Sequence, residues 1–303
     1  MASPILITKL YIPPTRAELF QRLELIERLS DGLNRKLTLI SAPAGFGKTT
    51  LVSHWLENLR AGQEIHHHPI RVAWLSLDED DNDPVRFLTY FITAFNQIKE
   101  IDASLGQGAL SMLQSPQPPP SNTVLISLIN DLAATSEKIV FILDDYHLIE
   151  SEPIHQALVF LLENLPPQLH LVIATRQDPP LFLGRLRARA QMTELRAADL
   201  RFTSSEAADF LNQVMSLNLS PEDIAELETR TEGWIAGLQL AAISMRAYDD
   251  RANFIQSFTG GHRLVLSIHT VKAHTRSIYS KLAVNNRTQA VDRARTLGVL
   301  SPN

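Results

Sequence analysis

The stretch Ser41-Ala42-Pro43-Ala44-Gly45-Phe46-Gly47-Lys48-Thr49-Thr50 follows the apolar run Leu37-Thr38-Leu39-Ile40 and leads into a helix-like segment over about residues 48–59. It fits the phosphate-loop pattern G-x-x-x-x-G-K followed by Ser or Thr at Gly47, Lys48 and Thr49, with Ala42 in the place of the first glycine. A loop set between a strand and a helix holds phosphate for physical reasons. Backbone N–H groups and the helix N-terminus cradle the anion, and Gly47 lets the backbone come close. The Lys48 ammonium neutralises the β- and γ-phosphates, and the Thr49 hydroxyl offers an oxygen to Mg2+. Alanine is accepted at position 42 provided its φ is negative. The loop therefore reads as an ATP/ADP and Mg2+ site, with Ala42, Gly45, Gly47, Lys48, Thr49 and Thr50 on the nucleotide and Thr49 also on the metal.

A second continuous apolar run, Ile139-Val140-Phe141-Ile142-Leu143, ends in Asp144-Asp145. Residues 72–77 and 171–174 have the same character. Runs without polar alternation suit strands covered on both faces, and their spacing by helix-like stretches argues for a parallel sheet with helical crossovers, an α/β fold. In such a sheet Asp144 and Asp145 come to the edge that carries the phosphate loop. Asp144 then joins the Mg2+ shell and Asp145 polarises an attacking water. Taken alone, the two acids equally suit a strand that ends in a polar turn. Arg176, after the run ending in Ala174-Thr175, is placed to sense the γ-phosphate, or is a surface arginine in a loop.

After Arg176 the strand pattern is expected to stop. Residues 204–214, Pro221–Thr231 and 234–246 read as helices, with Ser204 and Ser220 as caps and Pro221 in a first turn. Residues 63–69, which include His66, His67 and His68, and the proline-rich 115–121 read as loops. His54, His147 and His170 read as packing or surface residues.

The 303 residues are 45% hydrophobic and 20% charged, which excludes disorder as the main description, and no apolar run approaches the ~20 residues of a membrane span. Without cysteine there is no disulfide, thiolate zinc site or cysteine nucleophile. No secretion signal is read at the N-terminus, so cytoplasmic residence is expected. The net charge of −5 is unevenly spread: from His262 onward seven Lys/Arg face the single acid Asp292, a segment of +6 on a body of −11. A basic tail on an acidic body suits a polyanionic partner.

With these residues the chain resembles the STAND class of signal-transducing P-loop ATPases, and within it the large ATP-dependent regulators of the LuxR family. Lys9-Leu10, Pro13-Pro14 and Arg16 resemble the family's N-terminal segment, and residues 41–50 its Walker A loop. Residues 74–79 and 82–87 are similar to the segment after its second strand. Asp144-Asp145 matches Walker B and Thr175-Arg176 the sensor arginine. Residues 200–203 lead into the lid helices, and Glu232-Gly233-Trp234 resembles the opening of the helix that contacts nucleotide in relatives.

Residues 267–282 are similar to the recognition helix of a LuxR-type helix-turn-helix, and residues 286–291 to the opening of its last helix. Ile268, Val271, Thr275, Ile278 and Leu282 form one stripe, with Lys272 and Arg276 on another face. The resemblance implies that Lys272, Ala273 and Arg276 face DNA. Residues 258–263 resemble the start of a winged helix, and the recognition helix follows at once, so an internally shortened member is expected.

The organisation expected is an N-terminal segment 1–36, a P-loop NTPase core 37–200, an all-α lid 201–261 and a tail 262–303 resembling half of a LuxR helix-turn-helix. The expected function is a slowly hydrolysing ATP switch of a transcriptional regulator whose tail binds DNA. ATP-dependent self-association is implied by the resemblance, and no membrane partner is expected. The alternative is an ATP-binding interaction module without specific DNA binding. No acceptor-substrate constellation favours a P-loop kinase.

Overall fold

The apolar runs become strands of one sheet. β1 (Leu37–Ser41), β2 (Ile70–Ser76), β3 (Lys138–Asp144), β4 (Leu169–Thr175) and β5 (Met192–Arg196) pair in the order β2-β3-β4-β1-β5, all parallel. The helices are α1 (Leu23–Asp31), α2 (Lys48–Gly62), α3 (Pro84–Asn96), α4 (Gln107–Leu113), α5 (Ser121–Ala134) and α6 (Glu152–Glu163), then α7 (Leu183–Ala188), α8 (Ala197–Leu200), α9 (Ser204–Asp209), α10 (Pro221–Thr231) and α11 (Ile235–Met245). The computed structural model describes residues 5–15, 20–62, 70–98, 104–245, 254, 255 and 258. His66, His67 and His68 lie outside the described residues, as do Lys272, Ala273 and Arg276.

Successive side chains of the inner strands go to opposite faces. Phe141, Leu143, Leu171 and Ile173 pack in one cluster with Phe91 and Phe95 of α3 and Leu128 of α5. Val140, Ile142, Val172 and Ile40 pack in the other with Val52, Trp55 and Leu56 of α2. Phe141 lies 4.2 Å from the Phe91 ring and 5.0 Å from that of Phe95. Apolar cover on both faces is why these strands read as unbroken apolar runs.

The strand pattern does not stop at Arg176. β5 pairs with β1 at the end of the sheet. Its alternation is that of an edge strand: Leu195 is fully buried, while Glu194 and Arg196 are half-buried and paired with each other. Two charged residues in five concealed it from the apolar signal.

The helices after β5 enclose a third cluster, centred on Leu211, Leu227, Leu238 and Ala241. Residues 204–214 are not one helix, because α9 ends at Asp209 and a π-helical turn, Phe210–Val214, follows. The cap of α9 is Thr203 rather than Ser204: Thr203 Oγ1 accepts from the Glu206 N–H at 3.2 Å, and the Glu206 carboxylate accepts from the Thr203 N–H at 2.8 Å. Ser220 caps α10, its Oγ accepting from the Asp223 N–H at 3.2 Å.

Two cations fasten the N-terminal segment. Buried Lys9 pairs with Asp81 and, at 2.9 Å, with Asp78. Arg22 donates to the carbonyls of Asp199, Leu200 and Arg201 and to the Glu206 carboxylate, so it grips both sides of the junction between sheet domain and lid. Among the described residues no helix is long and apolar enough to cross a membrane.

His170 on β4 is a packing histidine, as expected. Its Nδ1 donates to the Arg35 carbonyl at 2.7 Å, which leaves Nε2 to accept from Thr38 Oγ1 at 2.9 Å. Burial pushes its pKa down to about 4 from 6.5. The unfolded chain therefore takes up this proton first, so the contribution is intact above pH 6.5 and is lost as pH falls towards 4, roughly 3 kcal/mol in all. The expected result is a melting temperature that drops over this window and drops less in His170→Asn. An unchanged slope in the variant would assign the acid sensitivity elsewhere.

Candidate functional site: a phosphate loop under a helical lid

β1 ends at Ser41, and α2 begins at Lys48, so six residues turn the chain over the edge of the sheet. Gly45 and Gly47 take positive φ, 80° and 73°, and Ala42 does not, which is the condition for alanine there. The loop thus exposes backbone N–H groups at the start of a fifteen-residue helix. β4 lies between β1 and β3, and the chain leaves β1 and β4 in opposite directions along the sheet. That switch point is where an open α/β sheet forms its ligand crevice.

The acid pair reaches the loop across this crevice. Thr49 Oγ1 donates to Asp144 Oδ2 at 2.9 Å. Lys48 is buried, and its Nζ donates to the loop carbonyls of Ala42 at 2.8 Å and Pro43 at 3.0 Å. Asp145 adopts the left-handed region at φ 56°, and its N–H donates to Asp144 Oδ1 at 3.0 Å. Its own carboxylate is about half exposed, with Oδ1 3.8 Å from His147 Nδ1. Arg176 is exposed at the end of β4.

Electrostatics register the crowding. Burial, then the neighbouring Asp145 charge, pushes the Asp144 pKa up to about 6. Burial holds the Lys48 ammonium below its usual range; the charge of Arg176 adds to this, while Asp145 and Asp144 oppose it. A hydroxyl beside a carboxylate whose charge is unfavourable without a cation is a hard-oxygen donor set of the kind Mg2+ takes, with phosphates completing the shell.

The lid closes on the same loop. The Trp234 indole Nε1 donates to the Ala44 carbonyl at 3.2 Å, and the Ala236 N–H donates to the Gly45 carbonyl at 3.2 Å. A Cβ on Gly45 would lie 2.7 Å from Trp234 Nε1 and 2.8 Å from Ala236 Cβ. Gly233, at φ 67°, turns into α11 with a built Cβ only 2.4 Å from the Phe202 carbonyl oxygen, so no side chain fits there.

Between loop and lid lies a pocket of about 530 Å3. Phe46, Thr50 and His54 line it from the core, and Phe202, Phe210 and Ile235 from the lid side. A mostly apolar, aromatic pocket adjoining a phosphate loop suits a nucleobase.

The structure thus brings together Ala42, Gly45, Gly47, Lys48, Thr49, Thr50, Asp144, Asp145 and Arg176. Sequence reasoning missed the pocket walls, which come from distant segments and share no spacing. Phe46 inside the loop and the Gly233-Trp234 pair were the available signals. His54 and His147 stand in the site rather than merely in packing: His54 lines the pocket, and His147 Nδ1 lies 3.8 Å from Asp145 Oδ1.

Residues 13–174 match the model of the AAA ATPase domain, and residues 261–294 that of bacterial regulatory proteins of the luxR family. The chain is 34% identical over 247 residues to the serine/threonine-protein kinase PknK of Mycobacterium tuberculosis, covering 82% of this chain and 21% of that protein. It is 37% identical over 227 residues to the HTH-type transcriptional regulator MalT of Cronobacter sakazakii, covering 74% and 24%. The chain therefore spans about a quarter or less of the length of these curated relatives. In fold it is similar to the Walker-type ATPase of Pyrococcus abyssi, with a TM-score of 0.54 at 17% identity over 96% of this chain and 88% of that one. The match over residues 13–174 is more than half of the chain, and with it the protein belongs to the AAA ATPase domain family.

Proposed function

We propose that the chain is an ATP-dependent switch of a transcriptional regulator, which binds ATP or ADP with Mg2+ and hydrolyses ATP slowly. The observation that carries this reading is the 2.9 Å hydrogen bond from Thr49 to Asp144, which joins two motifs 95 residues apart beside buried Lys48. Thr49 and Asp144 would hold Mg2+, which when bound neutralises charge on the β- and γ-phosphates. Lys48 releases its loop carbonyls to take phosphate oxygens. Asp145, unencumbered by an ion pair with Lys48, accepts the proton of the attacking water, and Arg176 meets the charge that develops on the γ-phosphate.

Because Trp234 and Ala236 donate to the loop's own carbonyls, phosphate occupancy and lid position are mechanically joined. A nucleotide that distinguishes the two lid positions shifts their populations. The units proposed are 1–36, 37–200, 201–261 and 262–303. DNA contact is assigned to the last of them through Lys272, Ala273 and Arg276, and ATP-dependent self-association and a cytoplasmic site of action complete the proposal.

The test is calorimetric titration with Mg-ATP and Mg-ADP, followed by a salt-titrated DNA-binding assay in each nucleotide state. Saturable nucleotide binding with ATP-dependent, sequence-selective DNA binding is the expected result. Nucleotide binding with no nucleotide-sensitive DNA binding would favour the interaction module instead, and absence of nucleotide binding would overturn both.

A further inference from the structure

α11 carries no charged side chain over its eleven residues, Ile235–Met245. Leu238, Ala241, Ala242 and Met245 bury one face of it in the lid cluster. Leu240 and Ile243, one turn apart on another face, are 40% and 52% exposed. Ala236, whose N–H donates to the Gly45 carbonyl, precedes Leu240 by four residues and so begins that second face. A helix that is apolar all round is one that is covered all round.

The chain itself supplies a cover. Past α11 it returns to the lid: Ile255 is buried in the lid cluster, and the Phe258 carbonyl accepts from Arg230 at 2.7 Å. From Phe258 to residue 267 the chain can span about 30 Å, against about 16 Å for the whole length of α11. Ile268, Val271, Thr275, Ile278 and Leu282 recur at helical spacing. The likeness to a winged-helix start over residues 258–263 directly precedes them, which leaves no room for the helices on which a LuxR-type recognition helix rests. A short amphipathic helix is stabilised by packing its apolar stripe and not by its own propensity. Charge points the same way. Residues 201–245 carry seven acids against Arg201 and Arg230, a charge of −5, while the segment from His262 onward carries +6.

We propose that residues 267–282 dock their apolar stripe on Leu240 and Ile243 of α11, so that the lid takes the place of the missing support helices. This rests on the likeness of the segment to a LuxR-type recognition helix and is independent of ATP hydrolysis. Two half-exposed side chains pass out of water against the stripe, and that apolar area holds the segment in place. The attraction between an acidic lid and a basic tail brings the two together and weakens with salt. Lys272 and Arg276, on another face of the same helix, then stay open to a polyanion. Since Ala236 begins the docking face, a lid that parts from the phosphate loop carries the basic residues with it.

The test is disulfide mapping in the full chain, which has no cysteine of its own. Ile243→Cys is combined in turn with Val271→Cys, Thr275→Cys and Ile278→Cys, and with Lys272→Cys and Arg276→Cys as controls. A stripe position that comes within about 7 Å should close a bond inside the chain roughly tenfold faster than either control. Equal rates across the two sets would overturn the proposal, as would bonds formed only between chains, which put a second copy on α11. Hydrogen exchange gives a readout that needs no cysteine. Leu240→Ser with Ile243→Ser should speed exchange of amides 267–282 on the order of 10-fold or more while Mg-ADP affinity holds. Ile278→Asp, which leaves the ATPase untouched, should do the same. Wild-type amides that already exchange there at the rate of an unstructured chain would reject the docking. Cross-links within the chain but no DNA binding would support it and remove only the DNA reading.

Discussion

Lys48→Ala is expected to weaken Mg-ATP and Mg-ADP binding about 100-fold or more, corresponding to about 3 kcal/mol. The ammonium donates to two carbonyls of its own loop, those of Ala42 and Pro43. Phosphate oxygens are better partners for a buried cation than carbonyls are, so the interaction lost is charge-assisted and desolvated. The fold itself should survive the change. Burial holds the Lys48 pKa down, which means that the charged form weakens the folded state instead of supporting it. A melting temperature close to wild type with nucleotide binding lost is the result expected by calorimetry and thermal unfolding. Retained ATP affinity would remove Lys48 from the phosphate site.

Asp145→Asn should leave nucleotide affinity within about threefold while slowing hydrolysis about 100-fold or more, the usual range for losing a general base. Asparagine is among the few residues that accept the left-handed φ of 56° found here, and its backbone N–H still donates to Asp144. Removing the adjacent negative charge also lets the Asp144 pKa fall from about 6, so the Mg2+ ligand is more fully ionised at neutral pH. Binding and turnover therefore separate in this variant. Single-turnover rates matching wild type would exclude Asp145 as the base.

The fold was legible wherever a strand is covered on both faces, because burial there imposes an unbroken apolar run that needs no alignment to see. β3 and β4 are of this kind, and Phe141 between Phe91 and Phe95 shows why no polar residue was admitted. β5 escaped because an edge strand tolerates Glu194 and Arg196. The π-helical turn after Asp209 escaped because its i→i+5 bonding changes the side-chain register over only five residues, too few for periodicity to report.

The phosphate loop and acid pair were readable because their chemistry is compressed into short segments with fixed spacing. The apolar pocket beside the loop was not, since Phe46, Phe202, Phe210 and Ile235 come from segments far apart in the sequence. His147 lay two residues beyond Asp145 in the sequence. Its approach to that carboxylate, 3.8 Å from Nδ1 to Oδ1, is a distance that composition does not carry.

Of the three tryptophans, Trp55 and Trp74 are sealed in the core at 0% and 1% exposure. Trp234 is half-buried, with its indole nitrogen bonded to the phosphate loop. The two sealed rings form a constant background of emission, while the third sits at the contact between the loop and the helices that follow β5. Any nucleotide that parts α11 from the loop frees that indole from its carbonyl and admits water to it. On the switch proposed above, that indole is an optical gauge of lid position, readable without a label.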